Sequence, residues 1–280
     1  MSTPASEASA IVLEPGRRER HYWRDLWSYR ELFQVLAARD VSVRYKQTVI
    51  GILWAVLRPV LTMVVFTVIF GKVAKLPSEG NVPYPLLVFA AMLPWQFFSS
   101  ALSDASNSLI SNSHLISKVY FPRLIVPGAA VIVALVDLLI SFGILGILMI
   151  VYQSAPGWPI LLLPAFLLLA FAAALGPGLW LAALNVKYRD FRYVIPFLLQ
   201  LGLYVSPVGF SSAVIPDQWK LLYYLNPMVG VIDGFRWCLL GSEVSYDWRA
   251  GAISLAMISL LLGIGIRQFR RTERTFADLV

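Results

Sequence analysis

Two kinds of residue in this chain have types and spacing that could do chemistry. Asp137, in VALVDLLIS, is a lone carboxylate inside an apolar run, and Arg58, in LRPVL, is a lone guanidinium inside another. A charge in such surroundings is paired, neutralised or used to couple ion movement. Asp137 reads as structurally paired rather than ion-coupling, because the other carboxylates fall at the edges of apolar runs. Arg58 is its nearest partner by depth. The second feature is a polar island, NSLISNSHLISKVYFPRLIVP at 107–127, whose serines, asparagines, His114 and Lys118 belong in water or at a membrane surface. Wound as one helix over 107–120, it sets Leu109, Leu115, Ile116, Val119 and Tyr120 on one side and Asn107, Ser111, His114, Ser117 and Lys118 on the other. Pro122 ends that helix before Phe121. A surface-lying connector and a docking element for a partner both fit this pattern.

Other chemistries find little support. A single cysteine, Cys238, allows no intrachain disulfide, and two distant histidines, His21 and His114, suggest no metal site. No Gly-x-x-x-x-Gly-Lys-Ser/Thr and no Gly-x-Ser-x-Gly occurs, so neither nucleotide hydrolysis nor a serine nucleophile is encoded and any energy source lies elsewhere. Asp217, Asp233, Glu243 and Asp247 gather late in the chain without a matching base, a weak basis for a membrane enzyme. The net charge of +7 is spread over several loops, which fits membrane orientation better than nucleic acid.

The elements that must position these residues follow from composition. The chain is 58% hydrophobic and only 14% charged, with mean hydropathy +0.70, against about 25% charged in an average globular domain. The expected fold is an all-α polytopic membrane protein with six transmembrane helices, at about 49–70, 85–102, 124–152, 160–185, 193–210 and 250–266. Six spans put both termini on one side. That side carries 17 Lys and Arg against five on the other, so both termini are cytoplasmic. Residues 1–28 are polar and poorly ordered, 29–46 form a basic amphipathic helix at the membrane surface, and 269–280 are a cytoplasmic tail. Between the last two spans, 212–241 reads as a re-entrant helical hairpin broken at Asn226-Pro227. Gly176-Pro177-Gly178 is a candidate kink. No internal repeat suggests a secondary carrier.

Three segments then resemble the membrane (permease) subunit of the ABC-2 family of polysaccharide exporters, which move O-antigen, capsule or teichoic acid chains. They are ARDVSVRYKQTVIGILWAVLRPVL at 38–61, LPWQFFSSALSDASNSLISNSHLISKVYFPRLIVP at 93–127, and NVKYRDFRYVIPFLLQLGLYVSPVGF at 185–210 followed by Asn226-Pro227 and Phe235-Arg236; the tail RRTERTFADLV is similar too. The resemblance implies a homodimer in the bacterial cytoplasmic (inner) membrane. It pairs with two copies of a separate ABC ATPase that carries the ATP and magnesium, and it passes a lipid-linked polysaccharide among membrane lipids. It also implies that 29–46, with Arg39 and Arg44, is the interface helix. The coupling helix at 107–120 would meet the ATPase through Asn107, Leu109, Asn112, His114, Leu115, Ile116, Lys118 and Tyr120, and a second contact would use Tyr188 and Arg189. The 212–241 hairpin, with Trp219, Asn226, Pro227, Phe235 and Arg236, would gate the outer exit. Trp54, Phe66, Tyr204 and Phe210 are the channel-lining candidates. An exporter of a drug or a lipid on the same fold is the alternative.

Overall fold

The computed structural model describes residues 22–46, 49–188, 190–273 and 276, and every element among them is helical. The expectations for residues 1–21, for Arg189 and for most of the tail lie outside the described residues, whereas residues 22–28, expected to be poorly ordered, form a helix because Tyr22 is buried against Glu273. In chain order the helices are α1 (Tyr22–Ser28), α2 (Arg30–Lys46), α3 (Val49–Phe66), α4 (Tyr84–Ser111), α5 (Ser113–Lys118), α6 (Ile125–Val151), α7 (Leu163–Lys187), α8 (Phe191–Val205), α9 (Asp217–Tyr223), α10 (Pro227–Leu240) and α11 (Trp248–Thr272). Thr67–Val73 continues α3 as a π-helical turn.

Among the described residues, five stretches are long and apolar enough to cross a membrane: Leu53–Val73, Tyr84–Ser111, Ile125–Val151, Trp158–Lys187 and Trp248–Thr272. The run expected at 193–210 forms the 15-residue α8, about 22 Å long and short of a bilayer core of about 30 Å. It stops because Pro207 drives Ser206 out of the helical region, with φ −83° and ψ 153°.

The bundle has two distinguishable ends. At one, the Tyr22 hydroxyl lies 3.3 Å from Glu273 Oε1, and the break between α4 and α5 sits nearby; this is the proximal end. At the other, Ser211 donates to Glu79, and the Asn81 amide lies 3.3 Å from the Glu243 carboxylate, which gathers the remaining connections at a distal end. α7 ends proximally and residues 188–211 lead back to the distal end.

There are two main cores. The larger joins α4, α6, α7 and α10, with Leu86 through Leu93, Val131, Ala134, Ala170, Ala174, Val231 and Phe235 sealed inside. A second, at the proximal end, joins Leu36 and Ala37 of α2, Leu109, Ile116 of α5, Ile125 and Ala129 of α6, Ala182 and Ala183 of α7, Phe269 of α11, and Phe276. The two layers meet along α4.

α7 is continuous through Gly176-Pro177-Gly178. Those glycines permit close approach: a Cβ on Gly176 would lie 2.8 Å from the backbone nitrogen and Cα of Leu262, and Gly265 presses on the Gly176 carbonyl in return. Small residues let helix backbones touch in this way in membranes. Gly176→Val is therefore expected to cost about 3 kcal/mol, since the atoms met are backbone and cannot rotate aside. Gly143→Ala, which meets nothing within 4 Å, should leave the melting temperature in detergent unchanged.

α10 opens at the break expected at Asn226-Pro227, but it lies inside the bundle. Twelve of its 14 residues are buried, and it packs against α4, α7 and α11. Asn226 caps it by accepting from the Met228 amide at 3.0 Å, and Pro227 occupies the first turn, where no N–H is needed. The Gly230 amide donates to Ser254 Oγ at 3.1 Å. Arg236, fully buried, donates to three carbonyls: Leu87 in the first turn of α4 (3.1 Å), Phe210 (2.9 Å) and Val208 (3.2 Å). α10 thus closes the distal end.

Candidate functional site

The polar island is placed at the proximal end but is not one helix. α4 runs on to Ser111, nine residues past the expected end of the second span, and the chain breaks at Asn112 (φ −111°, ψ 23°) before α5. The continuation is stable because its polar side chains bond back into their own helix. Ser106 and Asn107 donate to the Ser103 carbonyl, Ser108 to Ala105, and Asn112 to Ser108, at 2.7 to 2.9 Å. The stretch therefore carries its polarity within helical geometry and needs no water-filled loop.

This division corrects the expected docking face. Leu109 is 0% exposed and Ile116 is 4% exposed, both in the proximal core, so they seat the segment and do not face a partner. Leu115 is half-buried beside them, whereas Val119 and Tyr120 are exposed although they were grouped with the inward side. His114, Ser117 and Lys118 form the outward face of α5, with Tyr188, also exposed, on the α7–α8 turn. Asn185, buried at the end of α7, donates to the Ser106 carbonyl (3.1 Å) and to Asn107 Oδ1 (3.0 Å). Asn107 thus ties the two candidate contact regions together.

Past α5 the chain is clamped. The Arg123 amide donates to Glu273 Oε1 at 2.8 Å, the Arg123 guanidinium reaches the Glu273 carbonyl and stands 5.9 Å from the Phe276 ring centre, and Phe276 is fully buried. Burial, with the Glu273 charge behind it, pushes the Tyr22 phenol well above its ordinary range, so it stays protonated beside that carboxylate.

Asp137 has a partner other than the one expected. Its carboxylate lies 3.1 Å from Arg44 and accepts from the Tyr45 hydroxyl; Arg58 is exposed and makes no ion pair among the described residues. The depth argument failed because α2 does not lie flat on a surface. It climbs beside α6, from Tyr29 opposite Tyr120 to Tyr45 opposite Asp137. Val43, near its end, is exposed. Burial, and then the Asp137 bond, raise the Tyr45 phenol, which keeps it a donor. Arg44 also holds Asp104 at 3.2 Å, and Arg39 reaches Asn112 Oδ1 at 2.6 Å, although both side chains stay partly exposed. Asp104, Tyr45, Asn185 and Glu273 escaped notice in the sequence. For Asp104 a signal existed, since Asp104, Asn107, Ser108 and Ser111 repeat at the i, i+3, i+4, i+7 spacing of a polar helical stripe.

Of the channel candidates, Trp54 and Tyr204 are exposed on α3 and α8 and Phe210 is half-buried. Phe66 is corrected: it is 7% exposed and packs edge-on against Phe70, with ring centres 5.4 Å apart. Of the hairpin residues, Trp219 is exposed on α9, while Phe235 and Arg236 lie in the large core. The four late carboxylates all have structural partners. Asp217 holds Lys220 at 2.7 Å, Asp233 lies 3.9 Å from Arg236, Glu243 accepts from Asn81, and Asp247 caps α11 and accepts from Tyr224. The Lys220 bond and charge hold the Asp217 carboxyl below its usual range.

A layered helical bundle with five membrane-length helices and a seated polar segment at one end defines a multi-pass membrane protein built around a proximal platform. The profile described as ABC-2 type transporter matches residues 31–240, and the chain belongs to that family. It is similar to the O-antigen export system permease protein RfbA of Myxococcus xanthus, 30% identical over 92% of this chain and 98% of the relative. It is also similar to the protein of the same name from Klebsiella pneumoniae, 25% identical over 89% and 95% of the two chains. The polysialic acid transport protein KpsM of Escherichia coli is 22% identical over 85% and 92%.

Proposed function

We propose that the chain is the channel-forming permease subunit of an ATP-driven exporter that moves a lipid-linked polysaccharide, of O-antigen or capsule type, across the bacterial inner membrane. The observation that carries this reading is the near full-length match to an O-antigen export permease, with the docking platform falling inside the matched residues. The chain works as a homodimer with two copies of a cytoplasmic ABC ATPase, whose ATP and magnesium supply the energy. α3 and α8 support the pairing, since each keeps an apolar face exposed, through Leu57, Leu61 and Val64 on one and Phe197, Leu201 and Tyr204 on the other. A path for the glycan then runs between the two copies, and Trp54 and Tyr204 offer it aromatic faces.

The proximal end faces the cytoplasm, as the excess of basic residues supports. α8, together with residues 206–211, makes the sixth crossing, because it carries the chain from the proximal turn back to the distal end. α9 and α10 then form a re-entrant pair that enters and leaves on the outer side. His114, Ser117, Lys118 and Tyr188 meet the ATPase.

Purification of the chain in mild detergent from its own host should bring along an ABC ATPase at equal stoichiometry, and deletion of its gene should leave polysaccharide trapped inside the cell. A chain that emerges without an ATPase, from cells that export their surface polymer normally, would overturn the reading.

A further inference from the structure

α2 is bonded to α4 at two places. Arg39 reaches Asn112 at 2.6 Å and Arg44 reaches Asp104 at 3.2 Å. Asp104 in α4 and Asn112, the cap that ends it, stand about 12 Å apart along the helix, and they span its last two turns up to the break that begins α5. Two attachments fix the direction of α2 as well as its position. The second, Arg44, also holds Asp137 in the middle of α6 at 3.1 Å, and Tyr45 beside it donates to the same carboxylate. One guanidinium therefore bonds α4 and α6 together.

The open pocket of about 560 Å³ between these helices is lined by Arg39, Asp40, Arg44, Asp104, Asn107 and Asn112. It does not read as a ligand site, because its polar groups are occupied with one another. Asp40 also takes Arg39 at 2.6 Å, and Asn107 takes Asn185. The Arg44 pairs are about a third exposed on each side, and such pairs add little net stability. Geometry is what the bridge supplies, since both carboxylates meet the same Arg44 nitrogen, Nη1.

We infer that Arg44, through its paired bonds to Asp104 and Asp137, is the positioning residue that passes displacement of the docking segment to α6. This rests on the ATPase-docking reading above. When α5 and the Asn112 break are shifted, α2 is carried along by Arg39, and the bridge pulls Asp137 with it. Without Arg44, the proximal core still holds α5 through Ile116, but the midpoint of α6 keeps only the Tyr45 hydroxyl as a polar tie to α2 and has none to α4.

The test uses the full chain in complex with its ATPase, in lipid nanodiscs, with Cys238→Ser and paired spin labels. One pair reports α5 (Val119→Cys, at its C-terminal cap, with Leu168→Cys on α7), and the other reports α6 (Leu139→Cys with Leu168→Cys); Val119, Leu139 and Leu168 are all exposed. Distances are measured without nucleotide and with ATP–vanadate. In the otherwise native chain both distances shift. In Arg44→Ala the α5 shift persists and the α6 shift falls within the width of the resting distribution, while Arg44→Lys, whose single nitrogen can stand between the two carboxylates as Nη1 does, recovers part of it. Should Arg44→Ala not assemble, Asp104→Asn, which keeps the shape and removes the charge, carries the same comparison. An α6 shift retained in both variants overturns the inference alone, as does a native complex in which α5 moves and α6 does not. A native complex with no α5 shift, or a chain that binds no ATPase, overturns the docking reading and the inference with it.

Discussion

Arg236→Ala is expected to lower the melting temperature of the chain in detergent by about 10 °C, which corresponds to a loss of about 3–5 kcal/mol. The guanidinium is fully buried, and its removal leaves the carbonyls of Leu87, Val208 and Phe210 without that donor and Asp233 without its cation. Those groups lie where water cannot replace the lost partner, so the penalty is desolvation left uncompensated rather than one missing bond. Arg236→Met, which restores volume but no donor, should melt nearly as low. Arg236→Lys should recover only part of the loss, because an ammonium cannot match the spread of a planar fork. The measurement is a thermal scan of monodisperse protein. A melting point within two or three degrees of the native chain for Arg236→Ala would show that the distal closure does not depend on this residue.

The second large effect is expected at α5. Ile116→Pro removes the amide that bonds the Asn112 carbonyl at 3.1 Å and withdraws a buried side chain from the proximal core. A proline inside a helix costs about 3 kcal/mol, more than a six-residue helix can absorb. The bundle should still insert, because the larger core does not include this residue. ATPase copurification should fall at least about tenfold, a loss of about 1.4 kcal/mol of binding, and export should stop. Lys118→Glu, on the outward face, should weaken the partner while leaving the melting temperature unchanged. Normal export from the proline variant would remove α5 from the mechanism.

Much of the architecture was legible because length and apolarity leave few choices. The stretches around α3, α4, α6, α7 and α11 were each visible as runs that no soluble helix needs. The break at Asn226-Pro227 was visible too, since an Asn cap followed by Pro opens a helix. What escaped was set by partners distant in sequence. Nothing local distinguishes Ile116, which is inserted into a core, from Val119, which is exposed; the difference is made by α2 and by Phe269. The end of α4 was misjudged because serine and asparagine were weighed as polar groups needing water, although each could bond its own helix. Asp137 was matched to Arg58 by depth along straight spans. Its true neighbour comes from a helix that rises beside α6, 93 residues earlier in the chain.

The proximal core has a bearing on how the molecule is made. Its floor is assembled from Leu36 near the beginning, Ile116 in the middle, and Phe269 and Phe276 almost at the end. A nascent chain that has already threaded most of its helices through the translocon still lacks the side chains on which α5 rests. The packing beneath α5 is therefore complete only once Phe269 and Phe276 have been synthesised and have joined Leu36 around Ile116.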